Sequence, residues 1–279
     1  SLFTAALAIV ADRARASGKH GLTVAGIKEV WTVEFALPLA RAFPDARFLI
    51  IHRDPRAVVA SLVALTRKQP DQAAHPVSYM RHWRKHVAVA HHLAADSALA
   101  PRLMSVRFEE IVARPAAELA GICAFLDIPM HPSVLMDGEL DSAGAARLSN
   151  SSFNSGMPGI DLAAADRWRR NIDPDLAAAI DFHCAPEMGL LGYRPDNAGG
   201  TLTDGVRRSV TEADRNPGKW RSDSGDVAGD LERERRRYAM LAGGGGDPAA
   251  IRRCFLFEDA FAALSMPART NPETWNIAQ

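Results

Sequence analysis

The stretch from Ala46 to Leu65 constrains the fold more than any other, because a buried-strand pattern runs through a polar turn directly into a capped helix. Phe48, Leu49, Ile50 and Ile51 are consecutive β-formers with no polar interruption, which predicts a strand covered on both faces, as in a parallel sheet. Asp54 and Pro55 then open a helix. Asp is a preferred N-cap, and Pro suits the first helical position because it has no N–H to lose. Arg53 therefore falls at the carboxyl end of a strand and against a helix N-terminus, where open α/β sheets bind ligands and free amides favour an anion. Arg53 and Arg56 add two positive charges there. Along the helix, Ala57, Ala60, Ser61 and Ala64 form a small-residue face against which a ligand can lie, with Ser61 offering a hydroxyl. Val58, Leu62 and Leu65 form the stripe expected to be buried. The same residues also suit an ordinary strand-to-helix turn with solvated arginines, and chemistry alone leaves both readings open.

Upstream, the chain opens on an amphipathic helix to about Ser17, ended by Gly18. Leu22 to Ile27 follows as a strand candidate, and then a helix closes near Phe43-Pro44-Asp45. Downstream, Pro76 to about Ser97 is helical and rich in Arg, Lys and His. His82 and His86 stand one turn apart without a third metal ligand at a recognised spacing, so this helix reads as a solvated basic face and no metal is expected. Leu103 to Phe108 is a third strand candidate, followed by one helix from Glu109 to the Phe125-Leu126-Asp127-Ile128-Pro129 stop. Alternating helices and strands predict an α/β fold, a parallel sheet flanked by helices. Met136 to Pro158 is a long polar loop. Arg167-Trp168-Arg169-Arg170 precedes an Asp173-Pro174 helix start and an apolar stretch to Gly192-Tyr193-Arg194-Pro195.

With 33 basic and 33 acidic side chains the formal charge is zero, so no global field recommends nucleic acid or an anionic membrane, and any anion site is local. No apolar run reaches the length of a membrane span, and the opening residues lack the order of a signal peptide. The three cysteines, Cys123, Cys184 and Cys254, are widely spaced and read as reduced thiols in a cytoplasmic protein. After Asn197 the composition shifts to Gly and scattered charge. This places a boundary between residues 1–197 and a sparsely packed C-terminal extension, 198–279, in which helices fit Val227 to Leu241 and Pro248 to Leu264.

His52-Arg-Asp-Pro-Arg-Ala-Val-Val-Ala-Ser61 resembles the 3′-phosphate-binding motif of sulfotransferases that use 3′-phosphoadenosine-5′-phosphosulfate (PAPS). The flanking segments resemble that family in the same order from Leu7 to Pro195. Gly26-Ile27-Lys28 precedes the motif, Phe108-Glu109-Glu110 ends a strand, and a late Trp with basic residues comes before a Leu-Gly-Tyr close. The resemblance implies a P-loop-like architecture and transfer of a sulfuryl group from PAPS to a hydroxyl or amine on a small-molecule, carbohydrate or peptide acceptor, without a metal. It further implies that Arg53 and Ser61, with Arg56, bind the 3′-phosphate and that Lys28 neutralises the leaving phosphate. Glu29 is then the nearest carboxylate to act as base, and Arg167 with Trp168 close over the nucleotide. Apart from the resemblance, Lys28 reads as a loop lysine and Trp168 as a packed ring with surface arginines.

The family's Gly-rich 5′-phosphosulfate loop does not precede Lys28, and no Gly-x-x-x-x-Gly-Lys-Ser/Thr occurs elsewhere. The expectation is a piece of a longer enzyme or a degenerate member, and the helical start favours the piece. A catalytically incompetent member that binds nucleotide or a protein partner is the alternative. A nucleotide kinase lacks both its phosphate loop and its metal-holding acids.

Overall fold

The computed structural model describes residues 2–16, 18, 24–28, 33–68, 74–131, 162–196, 203–215, 225–256, 261 and 263–264. The chain divides into two compact units, one of Ser1–Thr32 with Glu109–Ala164 and the other of Val33–Phe108 with Ala165–Gln279.

In the first unit, helix α1 (Leu2–Ala16) carries Arg13 and Arg15 in its last turn, where cations suit the helix dipole. The Gly18 amide donates back to the Arg15 carbonyl at φ +81°, a conformation that favours glycine. The strand expected at Leu22 to Ile27 does not form over its described part. Val24 to Lys28 has no regular structure and is exposed throughout. A strand needs a ladder partner and a buried face, and the Ala25-Gly26 pair at its centre offers little side chain to pack.

The second unit holds the sheet. Strand β1 (Phe48–His52) pairs in parallel with β2 (Leu103–Arg107), in register from Phe48 opposite Leu103 to His52 opposite Arg107. Parallel strands require a crossover, supplied here by α3 (Pro55–Lys68) and α4 (Pro76–Ala94), while α2 (Ala36–Ala42) precedes β1. The fold is α/β, with helices greatly outnumbering strands among the described residues. Burial of β1 is less complete than its unbroken apolar run predicts. Ile50 is buried but Ile51 is 51% exposed, because a two-stranded sheet covers one face better than the other.

The single helix expected after β2 is two. α5 (Phe108–Ala113) stops at Arg114, and α6 (Pro115–Leu126) restarts on Pro115, since the residue before proline is pushed out of helical geometry. α6 ends on Asp127 in the left-handed conformation, with the Ile128 amide donating to the Cys123 carbonyl at 3.0 Å.

α7 (Pro174–Leu190) begins as its sequence predicts, with the Asp173 carboxylate accepting from the Leu176 amide. α8 (Asp204–Arg215), α9 (Val227–Ala242) and α10 (Pro248–Arg253) follow, the last ending well before Leu264. These helices are not a sparsely packed extension. Ala213 of α8 and Leu231 of α9 belong to one core cluster with Val59 of α3, Met80 and Val87 of α4, and Ile180 and Met188 of α7. A second cluster joins Leu37 of α2 and Val89 of α4 to Phe255 and Phe261. α4 therefore lies between two cores, and its Arg81, Arg84 and Lys85, expected on a solvated face, are buried. Arg81 pairs with Asp230 at 2.7 Å and Arg84 with Glu234 at 2.6 Å, both partners on α9, while Lys85 reaches Glu34 at 3.0 Å. Arg237 of α9 meets Glu187 of α7 at 2.7 Å. Buried charges of one sign call in charges of the other, which is why Asp230 and Glu234 of α9 point inward. Among the described residues no helix is long and apolar enough to cross a membrane.

Candidate functional site at the β1–α3 turn

β1 delivers His52, Arg53 and Asp54 to the N-terminus of α3. Asp54 caps the helix, its Oδ1 accepting from the Arg56 amide at 2.8 Å. The Arg56 guanidinium then folds back on the same carboxylate, with Nε to Oδ1 at 3.0 Å and Nη2 to Oδ2 at 2.7 Å. Nη1 of Arg56 reaches Asp181 of α7 at 3.3 Å and Asp196 at 3.0 Å. Burial opposes charge on Arg56, but Asp54, Asp181 and Asp196 outweigh it and hold its pKa above the ordinary arginine value. With all three nitrogens engaged and the side chain buried, Arg56 braces the turn from inside.

Arg53 takes the opposite course. Its guanidinium carbon lies 4.4 Å from the centroid of the Phe108 ring, just beyond the end of β2. Its carbonyl accepts a 2.8 Å hydrogen bond from the indole Nε1 of Trp83, a buried residue of α4. Because Asp54 is neutralised by Arg56, the turn does not set a bare carboxylate against an anion held by Arg53. Ser61 lies on α3, partly buried, in the same unit.

The small-residue face of α3 is not open to a ligand at Ala57 and Ala60. Trp168, 4% exposed, packs on both from the 3-10 turn Arg167–Arg170. Alanines permit that close approach of a flat ring. Arg56 and Arg169 flank the indole, each guanidinium 4.5 Å from its centroid. Arg169 also pairs with Asp196 at 2.7 Å, so one carboxylate ties the Trp168 turn to Arg56. Val59 rather than Val58 is the deepest valine of the helix, and Leu65 is exposed. Arg167 stands beside Trp168, partly buried.

The structure thus brings Arg53, Arg56, Ser61, Arg167 and Trp168 into one unit. Lys28 lies in the exposed stretch of the other, and Glu29 falls outside the described residues. Among the described residues no three His, Cys, Asp or Glu side chains converge as a metal site. Sequence reasoning missed Asp181, Asp196, Trp83 and the stacking role of Phe108. Asp181 did carry a signal, a lone carboxylate inside the apolar run Ala177 to Phe182, which is tolerated only when paired.

Beside the turn, His52 and His86 meet edge to face, ring centroids 5.2 Å apart. Burial, reinforced by the neighbouring imidazole of His86, lowers the His52 pKa to about 3. Burial likewise lowers His86 to about 4, with Glu34 opposing and Lys85 reinforcing. Both rings are neutral at pH 7. On α7, burial raises the Cys184 thiol pKa, so that cysteine is inert packing.

Residues 3–132, which include the whole turn, match the model of the sulfotransferase family. Over those residues the chain is similar to that family. It is 28% identical over 186 residues to a protein-tyrosine sulfotransferase of Drosophila melanogaster, covering 63% of this chain and 36% of that one. Against protein-tyrosine sulfotransferase 2 of Gallus gallus it is 28% identical over 174 residues, covering 60% and 46%. Carbohydrate sulfotransferase 3 of Mus musculus is 26% identical over 187 residues, covering 62% and 39%. The chain spans about a third to a half of the length of these curated relatives. The sulfotransferase domain from the curacin biosynthetic pathway aligns with a TM-score of 0.42 at 18% identity, covering 67% of this chain and 60% of that one.

Proposed function

We propose that the β1–α3 turn is the 3′-phosphate half-site of a PAPS-dependent sulfotransferase, with Arg53 and Ser61 as the phosphate ligands. The observation that carries this reading is the division of labour between the two arginines. Arg56 cancels the capping carboxylate and braces the turn, while Arg53 leaves the end of a parallel strand and lies over an aromatic ring. In the reaction, the bond between sulfur and the bridging oxygen of the donor's 5′-phosphate breaks, and a new sulfur–oxygen bond forms to an acceptor hydroxyl. The acceptor's proton passes to a base, for which Glu29 is proposed, and Lys28 is proposed to meet the charge left on the phosphate. The names of the relatives support a tyrosine or sugar hydroxyl as the acceptor class.

The test is calorimetric titration with adenosine 3′,5′-bisphosphate and with adenosine 5′-monophosphate. A charge-assisted hydrogen bond is worth about 1.5–3 kcal/mol, so Arg53→Ala should weaken the bisphosphate roughly ten- to a hundredfold and leave the monophosphate nearly unchanged. Equal losses for both nucleotides would return the motif to an ordinary strand-to-helix turn. Preferential bisphosphate binding without turnover toward any tyrosine or sugar acceptor would favour a nucleotide-binding member over an enzyme.

A further inference from the structure

Trp83 of α4 stands 30 residues from the motif and is assigned no part in it by any resemblance. Its indole is buried and its Nε1–H donates to the carbonyl of Arg53 at 2.8 Å. That carbonyl belongs to the peptide between the last residue of β1, His52, and the first helical acceptor of α3, Asp54, whose own carbonyl takes the Val58 amide at 3.1 Å. The next residues of the turn are fixed by local means. Proline locks φ at position 55 and restricts Asp54 before it, and the Asp54 carboxylate is clamped by Arg56. The Arg53–Asp54 peptide plane is held from across the fold instead. Its orientation fixes ψ of Arg53, and with it the angle at which the strand end that carries the Arg53 side chain joins the helix.

We propose that Trp83 is the positioning residue of this site: by holding the Arg53 carbonyl it aims the Arg53 guanidinium over Phe108 and toward a 3′-phosphate. The inference rests on the functional reading above for the identity of the anion, though not for the aiming itself. α4 is a suitable anchor. Residues on either side of Trp83 are pinned by buried ion pairs, Arg81 to Asp230 and Arg84 to Glu234, so the indole belongs to a rigid element. Tryptophan is suited to the role because it is a donor only, and a buried indole N–H needs an acceptor as much as the carbonyl needs a donor.

Two substitutions separate aiming from packing. Trp83→Phe removes the N–H and part of the ring. Replacement of Trp83 by the benzothienyl analogue of tryptophan, which puts sulfur where the N–H stands, removes the donor and keeps the shape. Both should weaken adenosine 3′,5′-bisphosphate about three- to tenfold, the value of one neutral hydrogen bond, and leave adenosine 5′-monophosphate within about twofold. A second readout needs no ligand. In the wild-type protein the Arg53 Nε–H resonance, assigned by its loss in Arg53→Ala, should show the ring-current shift of the Phe108 face, and the analogue should move it toward solvent-exposed arginine values. If the resonance stays in place in the analogue, or both nucleotides weaken equally, Trp83 is packing alone and the proposal fails. If wild-type protein does not prefer the bisphosphate, the functional reading falls, while the resonance still decides whether Trp83 aims Arg53.

Discussion

Arg56 and Arg53 are three residues apart and differ in everything but charge. Arg56 faces inward onto three carboxylates and Arg53 lies over a ring, so their substitutions should separate cleanly. Arg56→Leu leaves Asp54 and Asp181 buried without their cation, and breaking such a pair costs about 3–5 kcal/mol. Its urea midpoint should fall far below that of wild type, whereas Arg53→Ala, which gives up its contact with Phe108 and orphans no carboxylate of the Arg56 cluster, should lower it much less. The two buried imidazoles add a pH dependence whose sign follows from their direction. His52 and His86 have folded pKa values of about 3 and about 4, below the ordinary 6.5, so the unfolded chain binds more protons than the folded one between those limits. Their contribution to stability is complete above about pH 6.5 and is lost as the pH falls toward 4. Unfolding near pH 5 should take up about two protons more in wild type than in a His52→Asn, His86→Gln variant, measurable from the pH slope of the urea-derived stability. A slope unchanged by the double substitution would show that the rings are not buried neutral.

α3 and α4 work as a pair because each carries one side chain that only its neighbours explain. On α3, the alanine face at 57 and 60 receives Trp168, and truncating a buried tryptophan costs about 3–5 kcal/mol. Trp168→Ala should therefore lower the urea midpoint and also loosen the Arg56–Asp196–Arg169 bracket, detectable as faster amide exchange at residues 53, 54, 56 and 57. On α4, Arg84 and Glu234 are almost fully buried. Glu234→Leu alone should be strongly destabilising. Adding Arg84→Met should recover much of the loss, since an apolar pair of similar volume avoids the desolvation that a lone buried charge cannot. Additive losses in that double variant would mean the pair itself, and not the orphaned charge, sets the cost.

For the whole molecule, the C-terminal helices are part of the same unit as the turn. Removing residues 198–279 would expose Arg81 and Arg84 without Asp230 and Glu234, and would strip Ala213 and Leu231 from the core that holds Val59 and Met80. The truncated chain should be insoluble or molten, with no cooperative urea transition. A sharp transition near the wild-type midpoint would restore the boundary near residue 197. The low apolar content of this region misled because α9 packs with buried charge, Asp230, Glu234 and Arg237, which composition reads as solvation.

Local chemistry alone determined the strand beginning at Phe48, the Asp54-Pro55 helix start, the second strand beginning at Leu103 and the N-cap of α7, because each depends on φ preferences and hydrogen bonds within a few residues. The family resemblance was legible for a related reason, since a motif built on one turn keeps its spacing in sequence. The sequence could not reveal which arginine faces inward, because Asp181 and Asp196 lie 125 and 140 positions from Arg56 and a guanidinium carries the same charge in either place. Nor could it distinguish a solvated basic helix from a buried one, or turn a ring at position 83 toward a carbonyl at 53. Those outcomes depend on which surfaces meet once the chain is packed. Burial is a property of neighbours distant in sequence, and it decided here that Arg56 is bound up with three carboxylates while Arg53 lies over the Phe108 ring.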